Sequence, residues 1–207
     1  MTKRPRVPAL LLALALIVTG TLAAAPPGPS TFSIAAADPA TGEVGVAVAS
    51  RFFAVGTVVP WAKANVGAVA TQASANTSFG PDGLDLMARG LSAEEALKVL
   101  LRGDEGRERR QAGLVTASGD AATFTGSGAN AWAGGRKGPG YAVQGNILVG
   151  EAVVEAMERS FLASAGKPLA EGLRIIPPDA GGWTPVLVMS LLPLVIGEAL
   201  KHFGKTA

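Results

Sequence analysis

Cysteine is absent from this 207-residue chain, and histidine occurs once, at His202 in the last few residues. Without cysteine there is neither a disulfide framework nor a thiolate metal site, so stability has to come from a packed core. A single histidine in the extreme tail argues against histidine-dependent triads and multi-histidine metal sites. A basic footprint is missing too. The formal net charge of +2 owes three cations to Lys3, Arg4 and Arg6, and without them 15 Lys and Arg face 16 Asp and Glu. That balance excludes nucleic acid as the expected partner. No internal repeat of fixed period is present. The Gly-rich stretch Gly134–Gly140 matches neither a P-loop nor a dinucleotide fingerprint, and Pro139 removes a backbone donor, so it reads as a mobile loop.

The first residues carry a basic start, an apolar stretch from Ala9 to Val18 and small residues at Ala23, Ala24 and Ala25. This is the tripartite layout of a secretion signal. The apolar stretch is shorter than the roughly 20 residues a spanning helix needs, and Pro26, Pro27, Gly28 and Pro29 interrupt it, which favours cleavage over an anchor. Cuts after Ala23 and after Ala25 both satisfy the small-residue rule. The domain reading is a signal peptide over 1–25, a Pro-rich linker or propeptide over 26–30, one folded domain over 31–173 and an atypical apolar tail over 174–207. The expected location is secreted or extracytoplasmic, in periplasm or cell envelope.

Within the domain, Phe32–Ala37 and Glu43–Ser50 flank a turn containing Asp38, Pro39 and Gly42, which predicts a β-hairpin. Along the second run Val44, Val46 and Val48 alternate with Gly45, Ala47 and Ala49, so one face is bulky and the other nearly flat. Gly67–Gln72 reads as a third strand, Asn76–Gly83 as a polar loop and Leu84–Arg89 as a helix. Ser92 and Glu95 have the spacing of a capping box at the head of a helix ending near Gly103. Leu114–Ala117 and Ala121–Thr125 flank Ser118-Gly119-Asp120 as a second hairpin. Tyr141–Gln144 is a short strand, and Glu151–Ala165 an amphipathic helix with Val154, Met157, Phe161 and Ala165 on one stripe. Strands and helices are segregated rather than alternating, so the fold class is α+β.

Several of these segments, in this order, carry a family resemblance. Thr31-Phe32-Ser33-Ile34-Ala35 with Asp38-Pro39, the run Gly45 to Gly56, Val59-Pro60-Trp61-Ala62, Gly67 to Gln72, and Tyr141 to Leu148 resemble the domain-of-unknown-function 1028 family, assigned to the N-terminal nucleophile (Ntn) hydrolase superfamily. The resemblance runs from Thr31 to about Glu171. It implies a four-layer α-β-β-α sandwich in which a Thr, Ser or Cys at the mature N-terminus attacks an amide. A threonine hydroxyl is a weak nucleophile alone, and the free α-amine, with a pKa of roughly 7.7–8.0, serves as its base.

Thr31 is then the candidate nucleophile, against the plainer reading of a β-branched strand starter. Neither signal cut leaves it first, so a further cut after Ser30 is required. Arg51, at the end of the second strand, would tune a nearby amine or hold a substrate carboxylate, or else cap the strand at the surface. Asn146 would donate to a developing oxyanion, with Gly145 allowing close backbone approach, or else satisfy its own turn. Ser50, Gln72 and Asn76 are the candidate substrate-binding residues, and Asp38 caps the Pro39 turn. Nothing calls for a metal or an organic cofactor.

The expected function is an exported amidohydrolase acting on a small amide or a cell-wall-derived peptide. The rival is a non-catalytic binding or assembly module of the same fold, with homo-oligomerisation open in either case. From about Gly172 the chain departs from the family pattern, with Ile175-Ile176-Pro177-Pro178 and a Pro193-interrupted apolar run over Val186–Ile196. That tail is a buried segment, a weak C-terminal anchor for a membrane-tethered accessory protein, or a frameshifted end that leaves the sandwich incomplete.

Overall fold

The computed structural model describes residues 30–174. The signal segment and nearly all of the apolar tail therefore lie outside the described residues. Two four-stranded antiparallel sheets and four helices make an α+β arrangement. The first sheet has the order β2 (Glu43–Ser50), β1 (Thr31–Asp38), β8 (Tyr141–Asn146), β7 (Gly134–Gly138). The second has the order β3 (Pro60–Lys63), β4 (Gly67–Ala73), β5 (Arg110–Thr116), β6 (Ala121–Thr125). The helices are α1 (Phe79–Ala88), α2 (Ala93–Arg102), α3 (Ala152–Leu162) and α4 (Leu169–Gly172).

Local chemistry accounts for the elements that the sequence announced. Asp38 Oδ1 accepts from the Ala40 amide at 2.9 Å, and Gly42 takes φ 75°, which together close the β1–β2 turn. At α2 the capping box is complete, with the Glu95 amide donating to Ser92 Oγ at 3.2 Å and the Ser92 amide donating to Glu95 Oε2 at 2.9 Å.

Three segments differ from expectation, and each is set by packing. The stretch read as a Gly-rich loop is the edge strand β7, paired with β8 from Gly134↔Gly145 to Gly138↔Tyr141. Glycine serves it because a Cβ at Gly135 would lie 2.6 Å from Thr123 Oγ1 on the other sheet. Helix α1 starts at Phe79, five residues earlier than its periodicity indicated. Its first turn holds Gly80 and Pro81, poor helix interiors. Proline is tolerated there because first-turn amides have no intrahelical partner, and a Cβ on Gly80 would stand 2.2 Å from the Trp61 ring. Strand β3, which brings Trp61 to that spot, had no periodic signal of its own.

The core falls into three clusters. Val69, Phe79, Leu84, Leu97, Leu100 and Leu114 join α1 and α2 to the second sheet. Ile34, Tyr141, Val143, Val154 and Leu169 join α3 and α4 to the first sheet. Between the sheets lie Ala35, Ala37, Ala68, Val115 and Ala121, with Val44 and Val46 against them. Each large aliphatic side chain so buried contributes roughly 1.5–3 kcal/mol. The flat face of β2 meets α4's end, since a Cβ on Gly45 would sit 2.6 Å from Leu173 Cδ1. No helix among the described residues is long and apolar enough to cross a membrane.

Candidate functional site

The space between the sheets changes character along the strands. At the β1–β2 turn end it is filled by alanines and valines; toward Thr31 it becomes polar. Alternation along β1 puts Ser33 on the same face as Ala35 and Ala37, and the registers Ser33↔Gln144 and Gln72↔Gln111 bring two polar pairs face to face. Ser33 Oγ donates to Gln72 Oε1 at 2.7 Å, and Gln144 Nε2 donates to Ser33 Oγ at 2.7 Å. Gln72 Nε2 donates to Gln111 Oε1 at 2.7 Å, and Asn146 Nδ2 donates to the same oxygen at 3.1 Å. Gln111 Nε2 in turn reaches Thr125 Oγ1 and the Gly145 carbonyl, each at 2.8 Å. Gly113 leaves room for this network: a Cβ there would be 2.1 Å from Gln144 Oε1. Among the described residues no buried side-chain nitrogen or oxygen lacks a partner.

Above this network a cavity of about 540 Å³ opens. Thr31, Gln72 and Asn146 line it from the strands, and Phe52, Val55, Val58 and Val59 form an apolar wall. Ala73 to Ala75, Arg109, Arg110, Gly128 to Asn130 and Ile147 complete the lining. Immediately after Gln72 and after Asn146 the backbone enters the left-handed region, at Ala73 (φ 63°), the last residue of β4, and at Ile147 (φ 55°), just past β8. For a β-branched residue this conformation costs on the order of 1–2 kcal/mol, and such positions cluster at functional sites. A second cavity of about 510 Å³ sits at the β1–β2 turn end, against Thr41, Asn65, Leu169 and Leu173, and contains none of the candidate residues.

Thr31, Gln72 and Asn146 are therefore brought together. Thr31 lies between Ser50 and Asn146 in the sheet register and is 7% exposed. Ser50 stands behind it, its Oγ 2.9 Å from Thr31 Oγ1 and accepting from the Phe52 amide at 3.0 Å. Arg51 is exposed just past β2, outside the cavity lining. Asn76 is also outside the lining; its Nδ2 donates to Asp104 Oδ2 at 3.2 Å and its Oδ1 accepts from the Ser78 amide at 3.1 Å. Asn146 is no turn residue but the last of β8, with one amide hydrogen already committed to Gln111. Sequence reading missed Gln111 and Arg109 and gave no role to Ser33 or Gln144. Parity along β5 held a clue to Gln111, two residues before Gly113, but only if the strand was started at Arg110. Among the described residues no group of three or more His, Asp or Glu is placed to hold a metal ion.

The model described as "Family of unknown function (DUF1028)" matches residues 31–175. The chain belongs to the DUF1028 family. The crystal structure of protein SPO2555 from Silicibacter pomeroyi, also of DUF1028, is similar at 33% identity and a TM-score of 0.66. The match covers 70% of this chain and 66% of that one, so the likeness spans just under two thirds of the solved chain. No curated protein matches this chain.

In this DUF1028 chain the cavity rim is pinned by an ion pair. Arg110 Nε donates to Asp104 Oδ2 at 2.7 Å and Nη2 to Oδ1 at 3.2 Å, while Nη1 donates to the Ser74 carbonyl. The Arg110 hydrogen bond holds the Asp104 carboxyl down from 3.8 to about 2, against the opposing effect of burial and with help from Asn76 and the Gly106 amide. The folded value lies below the unfolded one, so this stabilisation is present above about pH 4 and lost as pH falls toward 2. It amounts to roughly 2 kcal/mol. Unfolding free energies from urea titrations should fall between pH 5 and pH 2 by that amount more in the wild type than in Asp104→Asn; parallel pH dependences would refute the assignment.

Proposed function

We propose that this chain is an exported amide hydrolase of the N-terminal nucleophile type, built as a four-layer α-β-β-α sandwich, with Thr31 as its nucleophile. One observation carries the reading: Thr31, the first residue of a central strand, lines the 540 Å³ cavity beside Asn146 and Gln72. The layering is supported by the three core clusters, two between helices and sheets and one between the sheets.

Cleavage of the Ser30–Thr31 bond frees the α-amine. That amine, with a pKa of roughly 7.7–8.0, takes the Thr31 hydroxyl proton as Oγ1 adds to the substrate carbonyl. The Ser50 hydroxyl, hydrogen-bonded to Oγ1, holds the nucleophile's position. The Asn146 amide hydrogen that Gln111 does not engage stabilises the oxyanion. Collapse breaks the C–N bond, the leaving amine takes the proton back from the α-ammonium, and water then hydrolyses the ester on Oγ1. The substrate class is a small amide or a cell-wall-derived peptide.

Processing is the test. N-terminal sequencing and intact mass of the protein recovered from the extracytoplasmic fraction should give a chain that begins at Thr31. A stable product beginning at Ala24 or Pro26, inert toward amides, would leave the amine locked in a peptide bond and favour the non-catalytic module.

A further inference from the structure

The charges around the cavity point to the substrate's own charge. No aspartate or glutamate is among the lining residues, and two arginines are. Arg110 is already spent on Asp104 and the Ser74 carbonyl. Arg109 is exposed, and its guanidinium makes no hydrogen bond or ion pair among the described residues. Nearby acids do not answer it: Asp104 is held by Arg110 and Asn76, and Glu108 accepts from Ser127 Oγ at 2.7 Å and lies 3.6 Å from Arg107. Arg109 closes the short 3-10 turn Arg107–Arg109, and its carbonyl accepts from the Ser74 amide at 3.1 Å, so its backbone is tied to the rim. The wall formed by Phe52, Val55 and Val58 is apolar, and Phe52 remains 50% exposed.

We propose that the cavity selects amides bearing a free carboxylate beside an apolar side chain, such as N-acylated hydrophobic amino acids. The Arg109 guanidinium pairs with the carboxylate, and the Phe52 wall takes the side chain. Arginine suits this role because its planar fork matches a carboxylate, and a guanidinium that no acid among the described residues pairs with is left for the ligand. The inference rests on the reading of this cavity as an amide site, and its test is independent of turnover.

N-acetyl-phenylalanine and N-acetyl-phenylalaninamide share a side chain and an acyl group and differ in the carboxylate. Binding of each is measured by titration calorimetry to the mature chain carrying Thr31→Ala, so that neither is consumed. The acid should bind about tenfold more tightly than the carboxamide, and added salt should narrow the gap. Arg109→Gln should erase the difference, whereas Arg159→Gln, on the exposed face of α3, should preserve it. Equal binding of the two probes, absence of binding by both, or an unchanged preference in Arg109→Gln would each overturn the proposal. Carboxylate-selective binding to a chain that hydrolyses no amide would sink the catalytic reading and leave this one standing.

Discussion

In a chain that begins at residue 31, Thr31→Ala is expected to lower amide turnover on the order of 10³-fold or more, with the fold retained. The asymmetry follows from what the side chain does. Its hydroxyl supplies the bond-forming atom, yet structurally it makes one hydrogen bond, to Ser50 Oγ at 2.9 Å. Losing that bond costs about 1 kcal/mol, enough to lower Tm by a few degrees. Thr31→Ser keeps a hydroxyl and the amine and should recover most of the rate. Turnover of an acyl amide by the three proteins, with thermal melts alongside, separates nucleophile from scaffold. Activity in Thr31→Ala within a few fold of wild type would end the nucleophile assignment, and equal melting losses in all substitutions would mark Thr31 as structural.

Gln111→Leu is expected to be the costliest single substitution for stability, about 3 kcal/mol or more. Gln111 is fully buried, and leucine fits its volume but not its bonds. Removing the amide leaves Asn146 Nδ2 and the Gly145 carbonyl without this partner, and leaves Gln72 Nε2 with only a 3.5 Å approach to the Gln144 carbonyl. Each orphaned buried group costs about 1–3 kcal/mol, more than leucine's added apolar burial returns. The same substitution frees Asn146 to rotate, so the rate should fall even under conditions where the protein remains folded. Chemical denaturation reads the first effect. A loss below about 1 kcal/mol would mean that the network contributes little and that Asn146 is held by its strand alone.

The contrast between Thr31 and Gln111 shows how far residue-level reading reached. Thr31, Gln72 and Asn146 stand at or next to strand ends within the family-like motifs, and all three line one cavity. The two hairpins, the capped helix α2 and the amphipathic helix α3 were legible because each is encoded within a few residues: alternation, a turn with Gly42 or Gly119, a reciprocal cap, a 3.6-residue stripe. Strand β7 was not, because its glycines have poor strand propensity and pair only when β8 is beside them. Asn76 looked like a rim residue beside Gln72, yet Thr71 donates to its carbonyl and Asp104 takes its side chain, so it braces the Arg110 loop.

By itself the sequence determined the two hairpins, the capped helix α2, the amphipathic helix α3, the α+β class and membership of the DUF1028 family, since these rest on short-range periodicity and on motifs in order. Tertiary structure alone decided which polar side chains meet. Ser33 reaches Gln72 across 39 residues and Gln144 across 111, and Gln111 joins both sheets through side chains that no local pattern relates. Such contacts depend on how two twisted sheets stack, and stacking is settled by the summed burial of the core. Burial places the polar groups where they must find one another, and the left-handed residues Ala73 and Ile147 follow Gln72 and Asn146 where these line the cavity.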